Sequence, residues 1–208
     1  MEELIERLAR SDTAAVADAQ SGFGILDPEI RSVVPGVKVA GPAFTVKCYP
    51  GSIITVHKAL LEARPGDVLV IDGEADGRGG ALIGELMSRE AMDRGIAGVV
   101  VDGAVRDAAG VRALGFPTYA RQITPRVGVN RRLGQTQVSI SVGGVVVHPG
   151  DVVLADDDGV AIIPRADLER LVEAVEAIEQ KETGLAEAIG RHERLSDLLG
   201  LIDAIRGR

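Results

Sequence analysis

The chain has 208 residues, 46% hydrophobic and 2% aromatic, with no Trp and a formal charge of −8. That length makes one domain with a full aliphatic core the default. The negative charge argues against a basic surface for phosphate backbones, and three Phe with two Tyr are too few for a base-stacking platform.

Residues 2–20 place Leu4, Ile5 and Leu8, then Ala14, Ala15 and Val16, at helical spacing, and Ser11 or Asp12 can cap a second short helix. Residues 37–49 read as one or two strands broken by Gly41-Pro42. Ser52 can cap a helix running to about Ala63, and Arg64-Pro65-Gly66-Asp67 follows as a turn. Val68–Ile71 is a buried strand ending at Asp72-Gly73. A polar, glycine-rich loop leads into a helix expected from about Ala81 to Arg94, which Gly95 stops. Ala97–Val101 is a second buried strand, Ala108–Leu114 a short helix, and Pro117–Ile123 a third strand. Such alternation argues for a parallel or mixed sheet with helices on a face.

From Gln137 the texture is β only, through His148-Pro149-Gly150 to the run DVVLADDDGVAIIP. Pro-Gly-Asp-Val occurs at 65–68 and again at 149–152, either as a weak internal repeat or as independent use of a favourable turn. Residues 166–180 and 184–207 are amphipathic and read as two C-terminal helices. The expected organisation is an α/β catalytic domain over 1–165 and a helical extension over 166–208, packed on that domain or on a neighbouring subunit.

Cys48 is the single cysteine, so no intrachain disulfide can form and a reducing compartment fits. Met1 leads straight into Glu-rich helical sequence, and no apolar run approaches the roughly 20 residues that span a bilayer. A cytoplasmic protein with no membrane and no nucleic-acid partner is expected.

Chemistry concentrates in Gly84-Glu85-Leu86-Met87 and Arg106-Asp107. The twenty residues between Glu85 and Arg106 hold the rest of a helix, a strand and a turn, which can return Arg106-Asp107 to the neighbourhood of Glu85. A helix start offers unpaired N–H groups and partial positive charge to a carboxylate ligand, and Gly77, Gly79 and Gly80 would let it approach. The plainer alternatives are an exposed Glu85 and an Asp107 that caps its own helix. Taken together, the residues suit Mg²⁺ or Mn²⁺, which keep several waters and need one or two protein carboxylates. Asp107 would bind directly and Glu85 through water, while a 2-oxo acid chelates the remaining positions and Arg106 holds its charged oxygen.

Other candidates are weaker. Asp156-Asp157-Asp158-Gly159 lacks the ligand spacing of an EF-hand and reads as a turn between strands. His57 reads as a packed helix residue, His148 as turn chemistry, and His192 lies in a charged helix. Cys48 has no His partner, and no Walker or dinucleotide glycine fingerprint follows a strand.

In PGDVLVIDG, GELM, VVVDGAVRD and PGDVVLADDDGVAIIP, across about Ser11 to Pro164, the sequence resembles the 4-hydroxy-4-methyl-2-oxoglutarate aldolases and the related regulators of ribonuclease activity A. The resemblance implies a three-layer β/β/α, swivelling-domain-like (phosphohistidine-domain-like) core and a class II, metal-dependent pyruvate aldolase that also decarboxylates oxaloacetate. It further implies pyruvate bound by the backbone of Gly84, Glu85, Leu86 and Met87 and by Arg106, with Asp107 as the metal ligand. The assembly implied is a homotrimer or a hexamer of paired trimers. In such aldolases a neighbouring subunit's C-terminal region adds an acid to the site, and Glu182, Glu187 and Glu193 are all open for that role. The competing expectation is a non-catalytic protein that inhibits an RNA-processing enzyme by surface contact.

Overall fold

The computed structural model describes residues 1–73 and 79–207. Two short helices, α1 (Glu2–Leu8) and α2 (Thr13–Ala19), precede β1 (Arg31–Ser32), β2 (Val39–Lys47) and α3 (Ile54–Glu62). The middle of the chain alternates: β3 (Val68–Asp72), β4 (Ala81–Ile83), α4 (Glu85–Asp93), β5 (Gly98–Val105), α5 (Ala108–Leu114) and β6 (Thr118–Ile123). Short strands come next as β7 (Gln135–Thr136), β8 (Ile140–Val142), β9 (Val145–Val147), β10 (Val152–Ala155) and β11 (Val160–Ile163). A 3₁₀ turn at Arg165–Asp167 leads into α6 (Leu168–Gly190), α7 (Leu195–Leu198) and α8 (Ile202–Ile205).

The main sheet runs β1-β6-β5-β3-β2-β10-β11, with β4 beside β5 and β7 beside β2. Strands β2, β3, β5 and β6 are parallel, whereas β10 is antiparallel to β2 and to β11. Period-two alternation sorts the apolar side chains into layers. Phe44, Val46, Leu69, Ile71, Val99 and Val101 face α3, α4 and α5 through Val56, Leu60, Ala91 and Val111. Val68, Val70, Val100 and Tyr119 face the other way, onto the β8–β9 hairpin and onto Val153, Val160 and Ile162. The sheet therefore curls over itself, giving a β/β/α arrangement. The far side of β10–β11 is covered by α1, α2 and α6 through Leu8, Val16, Leu171, Val172 and Val175.

Three expectations about elements are corrected. Ala81–Ile83 is a parallel strand on β5, and the helix starts only at Glu85. Strand β2 runs unbroken through Gly41-Pro42. The Ala43 amide donates to Asp151 of the β10 side, so Pro42 presents its missing N–H to the opposite edge. Pairing with β3 begins only at Ala43, so no ladder bond is lost there. Gly41 is required because a Cβ would overlap the Gly66 carbonyl oxygen. At the C-terminus, α6 is one helix of 23 residues that continues through Gly184. Helix-favouring neighbours offset the roughly 1 kcal/mol that an interior glycine costs.

The repeated Pro-Gly-Asp-Val turns flank β2. Each closes with an amide-to-carbonyl bond of 3.1 Å, Asp67 to Arg64 and Asp151 to His148. In each, the Asp carboxylate accepts the backbone amide three residues back, at 2.7 Å from Arg64 and 2.8 Å from His148. Yet β3 is parallel to β2 and β10 antiparallel to it, so the same turn chemistry leads into strands of opposite sense. Among the described residues, no helix is long and apolar enough to cross a membrane.

Candidate functional site

Two parallel strands, β4 and β5, end side by side, and their last shared hydrogen bond runs from the Arg106 amide to the Ile83 carbonyl at 3.0 Å. The chain leaves β4 through Gly84 into α4 and leaves β5 through Arg106-Asp107 into α5. Both helix starts therefore meet at the carboxyl ends of the strands, where α/β folds place ligands. Gly84 keeps that approach close: a Cβ would lie 2.7 Å from both Arg106 Cγ and Asp107 Oδ2 and would push the two site side chains aside.

Asp107 occupies the N-cap position of α5 but does not cap it. Its backbone is left-handed, with φ 56° and ψ 37°, and its side chain makes no capping bond to its own helix. The carboxylate turns instead toward the start of α4, where Oδ2 lies 3.4 Å from the Glu85 amide. Oδ1 accepts from Arg106 Nε at 3.2 Å. A non-glycine residue in that backbone region costs of order 1 kcal/mol, and such strain gathers at functional sites. The first-turn amides of Glu85, Leu86 and Met87 precede any intrahelical partner, and they add partial positive charge on the same side as Arg106. Glu85, Arg106 and Asp107 side chains are each about one third exposed, at 33%, 36% and 38%, open enough for a ligand to reach.

Glu85 has a partner that the sequence reading did not assign. Its Oε1 accepts from Arg89 Nη2 at 2.8 Å and Nε at 3.1 Å, one turn along α4. Its carboxylate lies against Gly110 of α5, where a Cβ would overlap it. An exposed i,i+4 pair is worth only about 0.3–0.5 kcal/mol, so Arg89 can release Glu85 to a ligand. Met87 packs partly into the core, whereas Leu86 is 80% exposed beside the site. Gly79 and Gly80 are tight for steric reasons, with a Cβ at Gly79 meeting Gly51 and one at Gly80 lying 2.6 Å from the Val127 carbonyl oxygen. Gly77 belongs to residues 74–78, outside the described residues.

The donor set suits a cation that keeps its waters. Among the described residues no group of three His, Cys, Asp or Glu side chains could enclose a metal ion. A single accessible carboxylate, Asp107, with Glu85 on the adjoining helix, matches the sparse oxygen ligation of Mg²⁺ or Mn²⁺ and not a zinc cage.

The remaining candidates find structural roles. Asp156 accepts from the Thr13 amide at 2.8 Å and the Thr13 hydroxyl at 2.6 Å, so it caps α2 from across the fold. Ser52 caps no helix; its hydroxyl bonds the Arg132 carbonyl at 2.8 Å. His57 is exposed on α3 and not packed, and His148 Nδ1 sits 2.8 Å from the Ser139 hydroxyl. Burial pushes the Cys48 thiol up to about 12, which removes it as a nucleophile. Glu182, Glu187 and Glu193 are all exposed, and Glu193 pairs with Arg191 at 3.1 Å. Arg89 was legible as a helical i,i+4 partner, and Gly110 as an isolated glycine in a helical pattern.

The chain belongs to the RraA-like family, whose profile (Aldolase/RraA) matches residues 13–162. It is 37% identical over 171 residues to a Halalkalibacterium halodurans protein provisionally named 4-hydroxy-4-methyl-2-oxoglutarate aldolase, covering 82% of this chain and 81% of that one. Its fold matches an uncharacterized Pseudomonas syringae pv. tomato protein at a TM-score of 0.87 and 28% identity, over 95% of this chain and 92% of that one. It also matches Streptomyces coelicolor RraAS2, described as an unusual member of the RNase ES inhibitor RraA family. That likeness has a TM-score of 0.80 at 32% identity, over 89% of this chain and 97% of the other.

Proposed function

We propose that the chain is a divalent-metal-dependent pyruvate aldolase acting on 4-hydroxy-4-methyl-2-oxoglutarate-type acids, with oxaloacetate decarboxylation as a side activity. The observation that carries this reading is Asp107, an exposed acid held in a left-handed backbone and turned away from the helix it would otherwise cap. The first-turn amides of Glu85, Leu86 and Met87 would receive the substrate carboxylate, and Arg106 would lie against its keto oxygen. Asp107 would hold Mg²⁺ or Mn²⁺, which supplies a Lewis acid to the keto group.

Aldol cleavage removes the proton of the 4-hydroxyl and breaks the C3–C4 bond. The bonding pair moves toward the keto oxygen, leaving a second keto product and the enolate of pyruvate, which takes a proton at C3. Oxaloacetate loses carbon dioxide across its own C3–C4 bond to give the same enolate. Arg106 stabilises the oxygen on which charge develops, and Glu85, once released by Arg89, would move protons through water.

Assembly belongs to the same proposal. Leu86, Ile123, Val127 and Leu133 are exposed apolar side chains, as is Ile205 at 69% near the C-terminus. A closed ring of three copies, single or stacked in pairs, would cover such surfaces and bring a C-terminal acid toward a neighbour's site. The second reading, a non-catalytic inhibitor of an RNA-processing enzyme, draws on the likeness to RraAS2. A coupled pyruvate assay decides between them, run with oxaloacetate and with 4-hydroxy-4-methyl-2-oxoglutarate, each with Mg²⁺, Mn²⁺ or chelator. Metal-stimulated, chelator-sensitive pyruvate release is expected; its absence with both substrates would favour the inhibitor.

A further inference from the structure

Four residues before Arg106, β5 changes its neighbour. Up to Asp102 it pairs with β3, the last register being Asp72 with Asp102, and from Ala104 it pairs with β4. On its other edge β5 is bulged at that place. Val101 faces Ala120 and Ala104 faces Gln122, so Asp102 and Gly103 together oppose the single residue Arg121. A bulge of this kind bends its strand and re-aims the residues beyond it. In β5 those residues are Ala104 and Val105, and then the site pair Arg106-Asp107.

A buried ion pair sits at the bulge. Asp102 Oδ1 accepts from Arg121 Nε at 2.7 Å, and the two side chains are 8% and 10% exposed. Asp102 Oδ2 accepts from the Gly143 amide at 2.6 Å, in the turn between β8 and β9. That turn is itself tied down, since the Asp27 amide donates to the Gly143 carbonyl at 2.9 Å. Arg121 Nη1 also reaches Asp27 at 3.0 Å and Glu29. Replacing a buried pair with apolar residues of similar size is often neutral or stabilising, so stability alone gives no reason for this one. Its location supplies a reason: it ties the β8–β9 turn and the Asp27 loop to the two residues where β5 passes from β3 to β4.

We propose that Asp102 and Arg121 are positioning residues that set the β5 bulge and so hold Asp107 and Arg106 in register with the start of α4. The proposal rests on the aldolase reading for its functional meaning, but its structural content stands apart from it. A test therefore needs a readout at the site besides turnover. Backbone amide NMR and Mn²⁺ titration would be applied to the full chain and to Asp102→Asn, Arg121→Lys and Asp27→Asn. The last variant removes the charge of an outer partner of Arg121 while leaving the bulge bonds intact.

Asp102→Asn and Arg121→Lys are expected to shift the amide resonances of Ile83–Met87 and Arg106–Asp107 well below the melting temperature. They should also weaken Mn²⁺ binding at least tenfold and lower kcat for pyruvate release by a similar factor. Asp27→Asn should change the melting temperature with no shift at those amides. If Asp102→Asn fails to fold, Arg121→Lys, which keeps the charge, carries the test. Unshifted site amides in whichever of the two variants folds would overturn the proposal, whatever happened to the melting temperature. Shifted amides in these variants, together with no pyruvate release by the unaltered chain, would uphold the positioning pair and refute the aldolase reading.

Discussion

Asp156 and Asp107 both sit at helix starts, and they do opposite things. Asp156 is buried and spends its oxygens on the Thr13 amide, the Thr13 hydroxyl and the Asp158 amide. Asp107 is exposed, strained in its backbone, and leaves its own helix uncapped. The first acid is satisfied by the chain that carries it, which is what a structural role requires. The second is held at a strain by the packing of β4, β5 and α4, and its bonds within the chain are long, at 3.2 and 3.4 Å. An acid of that kind is available to something from outside.

The sharpest way to break this comparison is to remove each acid and read activity and stability separately. Asp107→Gly deletes the carboxylate and relieves the left-handed backbone. Pyruvate release should fall by about a thousandfold or more, since metal Lewis acidity is worth several kcal/mol. Stability should stay within about 1 kcal/mol of wild type, because glycine accepts that conformation. A large drop in melting temperature would restore the capping role. Arg106→Lys comes next, at about a hundredfold, because Lys keeps the charge but not the planar fork; steady-state kinetics at saturating metal would reveal near-wild-type turnover if diffuse charge sufficed.

Asp156→Ala should show the reverse pattern. Chemical denaturation is expected to find about 3 kcal/mol lost, as two buried donors of Thr13 go unpaired, with activity per folded molecule unchanged. The smallest effect belongs to Gly110→Ala. Its methyl would displace the Glu85 carboxylate, so kcat should fall by about tenfold, a general acid–base contribution partly lost, with little change in Mn²⁺ affinity. An equal loss in both would place Glu85 closer to the metal than its pairing with Arg89 implies.

Much of the fold was legible because its physics is local. Apolar runs punctuated by Pro-Gly-Asp and Asp-Gly marked β3, β5 and β10, and Gly95 and Gly115 marked helix ends at positive φ. Strand β4 was not legible: Ala81-Leu82-Ile83 followed by Leu86-Met87 fits a helix pattern, and only pairing with β5 makes it a strand. The gathering of Glu85, Arg106 and Asp107 could be read from spacing, but the left-handed backbone at Asp107 could not, because asparagine and aspartate adopt it by context. Asp102 and Arg121 gave no local signal, since a bulge is a property of two strands at once.

Titration of the protein with Mn²⁺ in the presence of pyruvate, following free metal by electron paramagnetic resonance, tests the central claim most directly when wild type is set beside Asp107→Asn. The account predicts one Mn²⁺ per chain in wild type and affinity at least about tenfold weaker in the variant, which keeps the shape of the side chain and loses its charge. Equal affinity in the two proteins would contradict it.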